Sequence, residues 1–198
     1  MEAPMSEEQR DQLFNGNDMT GWEMVGRGGF QIEDGLLVTE GGMGLLWNTT
    51  RKVGNAVLRV VYKVSRPEDN SGVFVRIGER PENVWYPVHH GYEVQIMDTD
   101  DEYHRTGCIY SLTKAPSGVT KPPGEWNVLE ITMRGLVIDV NLNGALMTHF
   151  DPSAELRERE FDYEPERGPR EEYGYIGLQN HDGDSIVAFK EVSVVPLS

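Results

Sequence analysis

The stretch Gly91-Tyr92-Glu93-Val94-Gln95-Ile96-Met97-Asp98 combines a strand pattern with a row of polar side chains. Side chains alternate along a strand, so Glu93 and Gln95 share one face while the apolar residues between and beside them share the other. A carboxylate and an amide two residues apart stand about 7 Å apart along the backbone and project in parallel. A half-buried strand with one solvated face gives the same alternation, so this pattern alone leaves both interpretations open.

The flanking residues favour a ligand-binding face over a merely solvated one. The strand follows the pair His89-His90 and continues into the loop 98–107, which is dense in titratable side chains. Loops beside a rigid sheet are where binding and catalytic residues concentrate. The stretch therefore predicts a strand that holds a polar ligand.

The rest of the chain is typical of an all-β protein. Asp34-Gly35 and Asn143-Gly144 each separate two short alternating runs, which predicts two tight hairpins. Ala56 to Val64 alternates regularly and has one apolar face, as strands of antiparallel sheets do. More than ten such runs, without helical periodicity or an internal repeat, predict a jelly-roll sandwich of two curved antiparallel sheets.

Such a sandwich offers one concave sheet face to a ligand. In the run 70–77, Val73, Val75 and Ile77 are expected on one face, which places Arg76 beside Phe74 on the other. The polar row expected on the concave face consists of Arg76, Glu93, Gln95 and Glu130. Trp47 lies in an apolar run and is assigned to the core rather than to sugar stacking.

Length and composition indicate one domain and exclude some partners. A chain of 198 residues with 38% hydrophobic content suits a flexible N-terminal segment, 1–12, followed by a single domain, 13–198. With 18 basic and 33 acidic residues, the net charge of −15 repels nucleic acid and anionic membranes, so we expect a neutral or cationic ligand. The segment Asp151 to Glu172 is charged and nearly devoid of aliphatic residues, which favours a solvated surface loop.

Targeting and redox features are sparse. Cys108 is the single cysteine and cannot form an internal disulfide. No apolar run approaches the roughly 20 residues of a membrane span. Residues 1–12 lack a basic start and an apolar region, so we expect a cytoplasmic protein as written, or a periplasmic or extracellular one if a leader has been removed.

An ordered set of short motifs resembles the 3-keto-disaccharide hydrolase family, long described as a domain of unknown function. The motifs run in the family's order from about Leu13 to Val195: Leu13-Phe14-Asn15-Gly16, Thr20-Gly21-Trp22, Asn70-Ser71-Gly72-Val73-Phe74-Val75-Arg76, Gly91 to Asp98, Thr106-Gly107, Lys121 to Asn127, Leu142-Asn143-Gly144 and Ile176 to His181. The resemblance implies a concanavalin-like jelly roll. It also implies a glycoside hydrolase or lyase that acts on sugars already oxidised at C3.

The residues suit that chemistry. A ketone at C3 acidifies the C2 proton, so a base can form an enolate that expels the C1 substituent, after which water adds to the enone. We expect Glu93 to be the base, Arg76 to stabilise the enolate or clamp the substrate, and His104 or His181 to donate a proton to the leaving group. The residues expected to bind the substrate are Gln95, Asp98, Tyr110, Lys121, Trp126 and Gln179.

Two other functions remain open at this stage. An ordinary glycosidase needs two carboxyl groups roughly 5 to 9.5 Å apart. Asp98 is five residues from Glu93 and should face away from it unless a bulge intervenes. A noncatalytic carbohydrate-binding module would need only aromatic platforms such as Trp85 or Trp47 and polar groups such as Gln95.

The sequence requires no cofactor, but it allows a divalent metal. Carboxylate-rich loops bind calcium, and histidines beside them also suit transition metals. The residues that suggest a metal, without matching any fixed ligand spacing, are His89, His90, Asp98, Asp100, Asp101 and His104. The sugar, the aglycone and the oligomeric state are not specified by these patterns.

Overall fold

A computed structural model describes residues 10–197 as two antiparallel sheets that pack face to face. Within this range the strands are β1 (Asp11–Gln12), β2 (Trp22–Gly26), β3 (Gly29–Glu33), β4 (Leu36–Glu40), β5 (Gly44–Asn48), β6 (Ala56–Val64), β7 (Ser71–Ile77), β8 (Tyr92–Ile96), β9 (Asn127–Arg134), β10 (Val137–Leu142), β11 (Ala145–Phe150), β12 (Tyr175–Asn180) and β13 (Val187–Pro196). One short helix, α1 (Trp85–His90), lies between β7 and β8. This architecture confirms the predicted all-β jelly roll.

The two sheets differ in size and in what they carry. The eight-stranded sheet has the order β11-β10-β9-β6-β13-β4-β3, with β1 added beside β13. The five-stranded sheet has the order β2-β5-β12-β7-β8, so strands distant in sequence become neighbours. Because β7 pairs with both β8 and β12, the strand that carries Glu93 and Gln95 and a strand near the C terminus belong to one sheet.

Both predicted hairpins are present, and the backbone conformations of their turns explain why they form. Asp34 and Gly35 have φ angles of 50° and 80°, and Asn143 and Gly144 have φ angles of 52° and 85°. Two consecutive positive φ values define the type I′ turn, which Asx-Gly pairs adopt at little cost. The turns therefore set the registers of β3 with β4 and of β10 with β11.

The main core fills the space between the sheets. Leu58 and Val60 of β6, Phe189 of β13, and Val73 and Val94 of the smaller sheet are all buried in it. Each such side chain contributes about 1.5–3 kcal/mol by leaving water. The alternating patterns of β6 and β8 thus reflect one face turned to this core.

A second, smaller cluster lies on the outer face of the five-stranded sheet. Leu45, Trp47, Phe74 and Ile77 pack there against Val88 of α1. Trp47 is buried and meets Tyr175 edge-on at 4.9 Å between ring centroids, so its assignment to the core is confirmed. The helix covers only part of this face.

The sequence shows no helical periodicity, yet a short helix, α1, precedes β8. The side-chain Oδ1 of Asn83 accepts hydrogen bonds from the backbone N–H groups of Trp85 and Tyr86, each at 3.0 Å, and starts the helix. Six residues make fewer than two turns, which is too short to produce a helical period in the sequence. Among residues 10–197, no helix is long and apolar enough to cross a membrane.

The predicted N-terminal boundary needs a small correction. Asp11 and Gln12 pair with Val194 and Ser193 of β13, so the folded domain includes residues assigned by sequence to the N-terminal segment. The rest of that predicted segment, 1–9, lies outside the described residues, as does residue 198.

A bulge in β7 contradicts the predicted face of Arg76. Phe74 pairs with Gly177 and Ile77 pairs with Tyr175, so β7 has one residue more than β12 between these pairs. Arg76 adopts a φ of 59°, in the left-handed region that residues other than glycine rarely occupy. The alternation therefore changes phase, and Ile77 joins Phe74 in the outer cluster instead of Val73 and Val75 in the core.

Candidate active site

A cavity of about 620 Å³ opens on the outer face of the five-stranded sheet. Strands β8 and β12 contribute Glu93, Gln95 and Gln179 to its floor, and α1 and the connecting loops form its walls. The residues that line it are Met43, Asn70, Trp85, Val88, Glu93, Gln95, Asp100, His104, Tyr110, Tyr163, Gln179 and His181. Its volume lies within the range of cavities that bind drug-sized ligands.

Glu93 lies on the cavity floor because the neighbouring strand provides space for it. In the register of β7 with β8, Phe74 faces Glu93 and Gly72 faces Gln95. A Cβ atom at residue 72 would overlap the carboxyl group of Glu93. The carboxyl therefore lies across Gly72, and only 6% of the Glu93 residue remains exposed.

This burial changes the acidity of Glu93. Removal from water raises the pKa of Glu93 to about 8, and a hydrogen bond with Gln179 opposes the rise only in part. Glu93 consequently exchanges its proton near neutral pH. A carboxyl group with this property suits general acid and base chemistry.

Two buried glutamines flank this carboxyl group. Gln95 and Gln179 are both buried, and within the described part of the chain the Oε1 atom of each accepts no hydrogen bond. An unsatisfied buried acceptor costs about 1–3 kcal/mol. A ligand that presents several hydroxyl donors would remove this cost, so the cavity floor suits a polyol such as a sugar.

Two histidines line the cavity, each beside an aspartate. Nδ1 of His104 lies 2.9 Å from a carboxylate oxygen of Asp101, and Nδ1 of His181 lies 2.9 Å from one of Asp182. Burial raises the pKa of Asp182, but hydrogen bonds from His181 and nearby backbone groups outweigh this and lower it to about 2. An ionised partner at Nδ1 orients each ring and leaves Nε2 to exchange a proton with a ligand.

Tyr110 contributes a phenol to the same wall. Its backbone N–H donates to the carbonyl of Glu93 at 2.9 Å, which fixes the loop against β8. Burial, followed by the negative charge of Glu93, raises the pKa of Tyr110 above its ordinary value. The phenol therefore keeps its proton and acts as a hydrogen-bond donor.

The structure does not bring Arg76 to this cavity. Arg76 is only 2% exposed, and its guanidinium donates to the carbonyls of Val53 at 3.1 Å and of Gly135 at 2.9 Å, and also to that of Glu172. The expected position of Arg76 on the face of Glu93 is wrong because the bulge turns its side chain toward these loops.

Four other predicted residues also lie elsewhere. Asp98 accepts a hydrogen bond from Thr106 and borders a separate small cavity, so it faces away from Glu93 as the alternation required. Lys121 donates to the carbonyl of Trp126 at 2.9 Å, and the Trp126 ring lies beneath two lysines. Glu130 is on the eight-stranded sheet, 3.7 Å from Arg59, so its predicted place on the concave face is wrong.

Residues 9–195 match the family model of the 3-keto-alpha-glucoside-1,2-lyase-like domain. The chain belongs to this family. The match spans almost the whole sequence and confirms the family resemblance of its motifs. No curated protein matches the chain significantly.

Solved structures agree with membership of the lyase-like family. The chain is similar to a "putative glycosyl hydrolase" from Parabacteroides distasonis, with 26% identity over 98% of this chain and 99% of that one, and a TM-score of 0.80. It shares its fold with carbohydrate-binding module CBM66 from Bacillus subtilis, at 12% identity over 87% of this chain and 93% of that one, with a TM-score of 0.57. The family and the Parabacteroides structure together indicate a glycosidase-like function.

Several residues that line the cavity were not assigned to the catalytic site from the sequence. Tyr163 comes from the charged segment that we expected to be a solvated loop. Glu164 beside it is only 1% exposed, so this segment, which is otherwise largely exposed as predicted, is anchored to the protein at that point. The remaining unassigned wall residues are Met43, Asn70, Trp85, Val88 and Asp100. Trp85 was expected only as a platform of a binding module.

The predicted metal ligands are brought together in part. Potential ligand atoms of Asp100, Asp101 and His104 lie within 4.8 Å of one another, whereas His89, His90 and Asp98 are not in this group. Two carboxylates and an imidazole suit a divalent cation such as manganese or calcium. A cation there would supply Lewis-acid chemistry at the cavity wall. Metal binding stays a prediction.

Proposed function

We propose that this protein cleaves glycosides whose sugar carries a ketone at C3, and that Glu93 removes the C2 proton. The observation that carries the proposal is a buried carboxyl group with a pKa of about 8 on the floor of a sugar-sized polar cavity. The family's description as a 3-keto-alpha-glucoside-1,2-lyase-like domain supports the same reaction.

The reaction needs a base before it needs an acid. Glu93 takes the C2 proton, and the electron pair of the C2–H bond forms an enolate on the C3 oxygen. Collapse of the enolate makes a C1=C2 double bond and breaks the bond between C1 and the leaving oxygen, which receives a proton. Water then adds across the enone, with its oxygen at C1 and its proton at C2, to give the free 3-keto sugar.

The pKa of Glu93 matches the first step. A carboxylate with an ordinary pKa would be a weak base toward a carbon acid, whereas a pKa near the working pH combines base strength with availability. Burial provides this match by raising the pKa of Glu93. The same low polarity also strengthens interactions with the negative charge that develops during the reaction.

Three other groups can handle charge and protons. Tyr110 keeps its proton and can donate a hydrogen bond to the enolate oxygen, the role expected of Arg76. His104 or His181 can protonate the leaving group, because both line the cavity and both have an aspartate at Nδ1. The unpaired oxygens of Gln95 and Gln179 can accept hydrogen bonds from sugar hydroxyl groups.

An ordinary glycosidase is a second candidate because Asp100 also lines the cavity. Glu93 and Asp100 would then be the two carboxyl groups that acid and base hydrolysis needs. A noncatalytic sugar-binding role is a third, favoured by the fold shared with CBM66. Neither of these roles requires a ketone on the substrate.

One incubation separates these functions. The protein is supplied with a 3-keto-glucoside or with its unoxidised parent, and release of the aglycone is followed by chromatography. We expect cleavage of the 3-keto substrate only. Equal cleavage of the parent would identify an ordinary glycosidase, and binding of both without cleavage would identify a binding module.

A further inference from the structure

Two large aromatic side chains stand half exposed at the mouth of the cavity. Trp85 is 45% exposed and Tyr163 is 47% exposed, and both line the cavity that holds Glu93. Large exposed apolar surfaces beside a polar site commonly mark a place where a ligand or partner binds. Glu93, Gln95 and Gln179 are buried in the floor, so the aromatic pair is set apart from the polar groups by depth.

Contacts with Asn83 and His89 hold Trp85 in position. It is the first residue of α1, and its backbone N–H donates to Oδ1 of Asn83 at 3.0 Å. Its ring stacks on the imidazole of His89 at 6.0 Å between centroids and an angle of 25°. The indole face is therefore oriented by the helix and not free to collapse onto the sheet.

Contacts within its own loop hold Tyr163 in position. Its ring stacks on Phe161 at 5.1 Å and an angle of 5°. The next residue, Glu164, is buried and accepts hydrogen bonds from the backbone of Glu160 at 3.0 Å and from Arg167 at 2.9 Å. A buried carboxylate with these partners fixes the loop at the position from which Tyr163 projects.

The two supports are tied to each other through one carbonyl group. The carbonyl of His89 in α1 accepts hydrogen bonds from the backbone N–H of Glu166 at 3.2 Å and from Arg170 at 2.8 Å. Arg170 also donates to the carbonyls of Gly91 and Gly168. Helix α1 and the loop of Tyr163 are consequently held to each other, so a ligand that contacts both aromatic side chains costs the protein little conformational entropy.

We propose that Trp85 and Tyr163 form the subsite for the leaving group and select glycosides whose leaving group is an uncharged pyranose or aryl ring. This inference rests on the proposed function. The floor takes the keto sugar, and a volume of about 620 Å³ leaves room beyond one hexose for a second ring. The face of a pyranose or an aryl ring packs on aromatic side chains. The net charge of −15 disfavours an anionic leaving group.

The experiment compares leaving groups across three variants. Wild-type protein, Trp85→Ala and Tyr163→Ala are assayed with the 3-keto forms of methyl glucoside, phenyl glucoside and a disaccharide with glucose as the leaving group. We expect Trp85→Ala and Tyr163→Ala each to lower kcat/KM by about 10-fold for the two substrates whose leaving group is a ring. The loss for the methyl glycoside should be less than about 2-fold. Tyr173→Ala is the control, because Tyr173 is equally exposed but does not line the cavity.

The outcomes separate this inference from the proposed function. Equal losses on all three substrates, or none, would overturn the leaving-group subsite while the proposed function stands. A loss confined to the phenyl or the disaccharide substrate would show which ring the subsite accepts. If the wild-type protein cleaves none of them, the proposed function fails, and calorimetry with unoxidised phenyl glucoside tests the subsite through weaker binding by the two alanine variants.

Discussion

Gly72 provides the space that the carboxyl group of Glu93 occupies. The two residues lie on the neighbouring strands β7 and β8, and a Cβ atom at residue 72 would overlap the carboxyl. A glycine within a buried strand weakens that strand, so the gain must lie in the space it leaves. Here that space sets both the position and the burial of the proposed base.

Gly72→Ala should displace the carboxyl group of Glu93 from the cavity floor. We expect kcat/KM for a 3-keto-glucoside to fall by roughly 10-fold to 100-fold, since small displacements of a reacting group have effects of this size. Steady-state kinetics measures the loss, and circular dichroism checks that the variant is folded.

Gly54→Ala is the matched control for this change. A Cβ atom at residue 54 would meet only the carbonyl of Glu172, at an ordinary contact distance of 3.8 Å. A similar loss of turnover in both variants would mean that the effect of Gly72→Ala does not come from Glu93.

Glu93→Gln tests the base directly. Glutamine keeps the shape and the hydrogen-bonding capacity of the side chain but cannot take a proton. We expect turnover of a 3-keto-glucoside to fall by roughly 100-fold or more while binding, measured by calorimetry, persists. Glu130→Gln on the other sheet should leave turnover unchanged. Full activity of Glu93→Gln would move the search for the base to His104 or His181.

The pH dependence of turnover should follow the ionisation of Glu93. Only the carboxylate accepts a proton from C2, and burial raises its pKa to about 8. We therefore expect kcat/KM to rise with pH and to level off above about pH 8. A profile that is already flat at pH 6 would show that the base ionises with an ordinary carboxylate pKa and is a different residue.

The same pKa predicts an effect on stability. Between the ordinary pKa of 4.5 and the folded value of about 8, the folded protein holds a proton that the unfolded chain has released. The contribution of this protonated carboxyl group to the free energy of unfolding is complete below pH 4.5 and is lost as the pH rises through 8. We expect the free energy of unfolding of Glu93→Gln to exceed that of wild type at pH 8.5 but not at pH 4.5, as denaturant titrations would show.

Local patterns in the sequence were sufficient to predict the polar floor of the site. Alternation around Glu93 and Gln95 placed both side chains on one face, and the Asx-Gly pairs gave the two hairpins. Gln179 followed from a motif near the C terminus, although its place beside Glu93 depends on the pairing of β12 with β7. Strand order is a long-range property that no local pattern contains.

The errors come from backbone conformations and packing that the sequence does not signal. Arg76 is not a glycine, so nothing in the sequence indicated its positive φ or the change of phase after it. The loop that carries Tyr163 is largely exposed, as its charge predicted, but the burial of Glu164 with Arg167 as its partner was not predicted. A count of charged residues does not show that two of them pair with each other and become buried.

The last prediction concerns Arg76, which the structure assigns to holding loops together. Its guanidinium donates to the carbonyls of Val53, Gly135 and Glu172, which come from three separate segments. Arg76→Ala removes all three hydrogen bonds, which a charged group donates, so we expect the free energy of unfolding to fall by roughly 3 kcal/mol, measured by urea titration. Arg80→Ala, which removes an exposed pair with Glu23, should cost less than about 1 kcal/mol. Unchanged stability of Arg76→Ala together with lost turnover would contradict this assignment and return Arg76 to the reaction, because a guanidinium needed only for chemistry contributes nothing to unfolding.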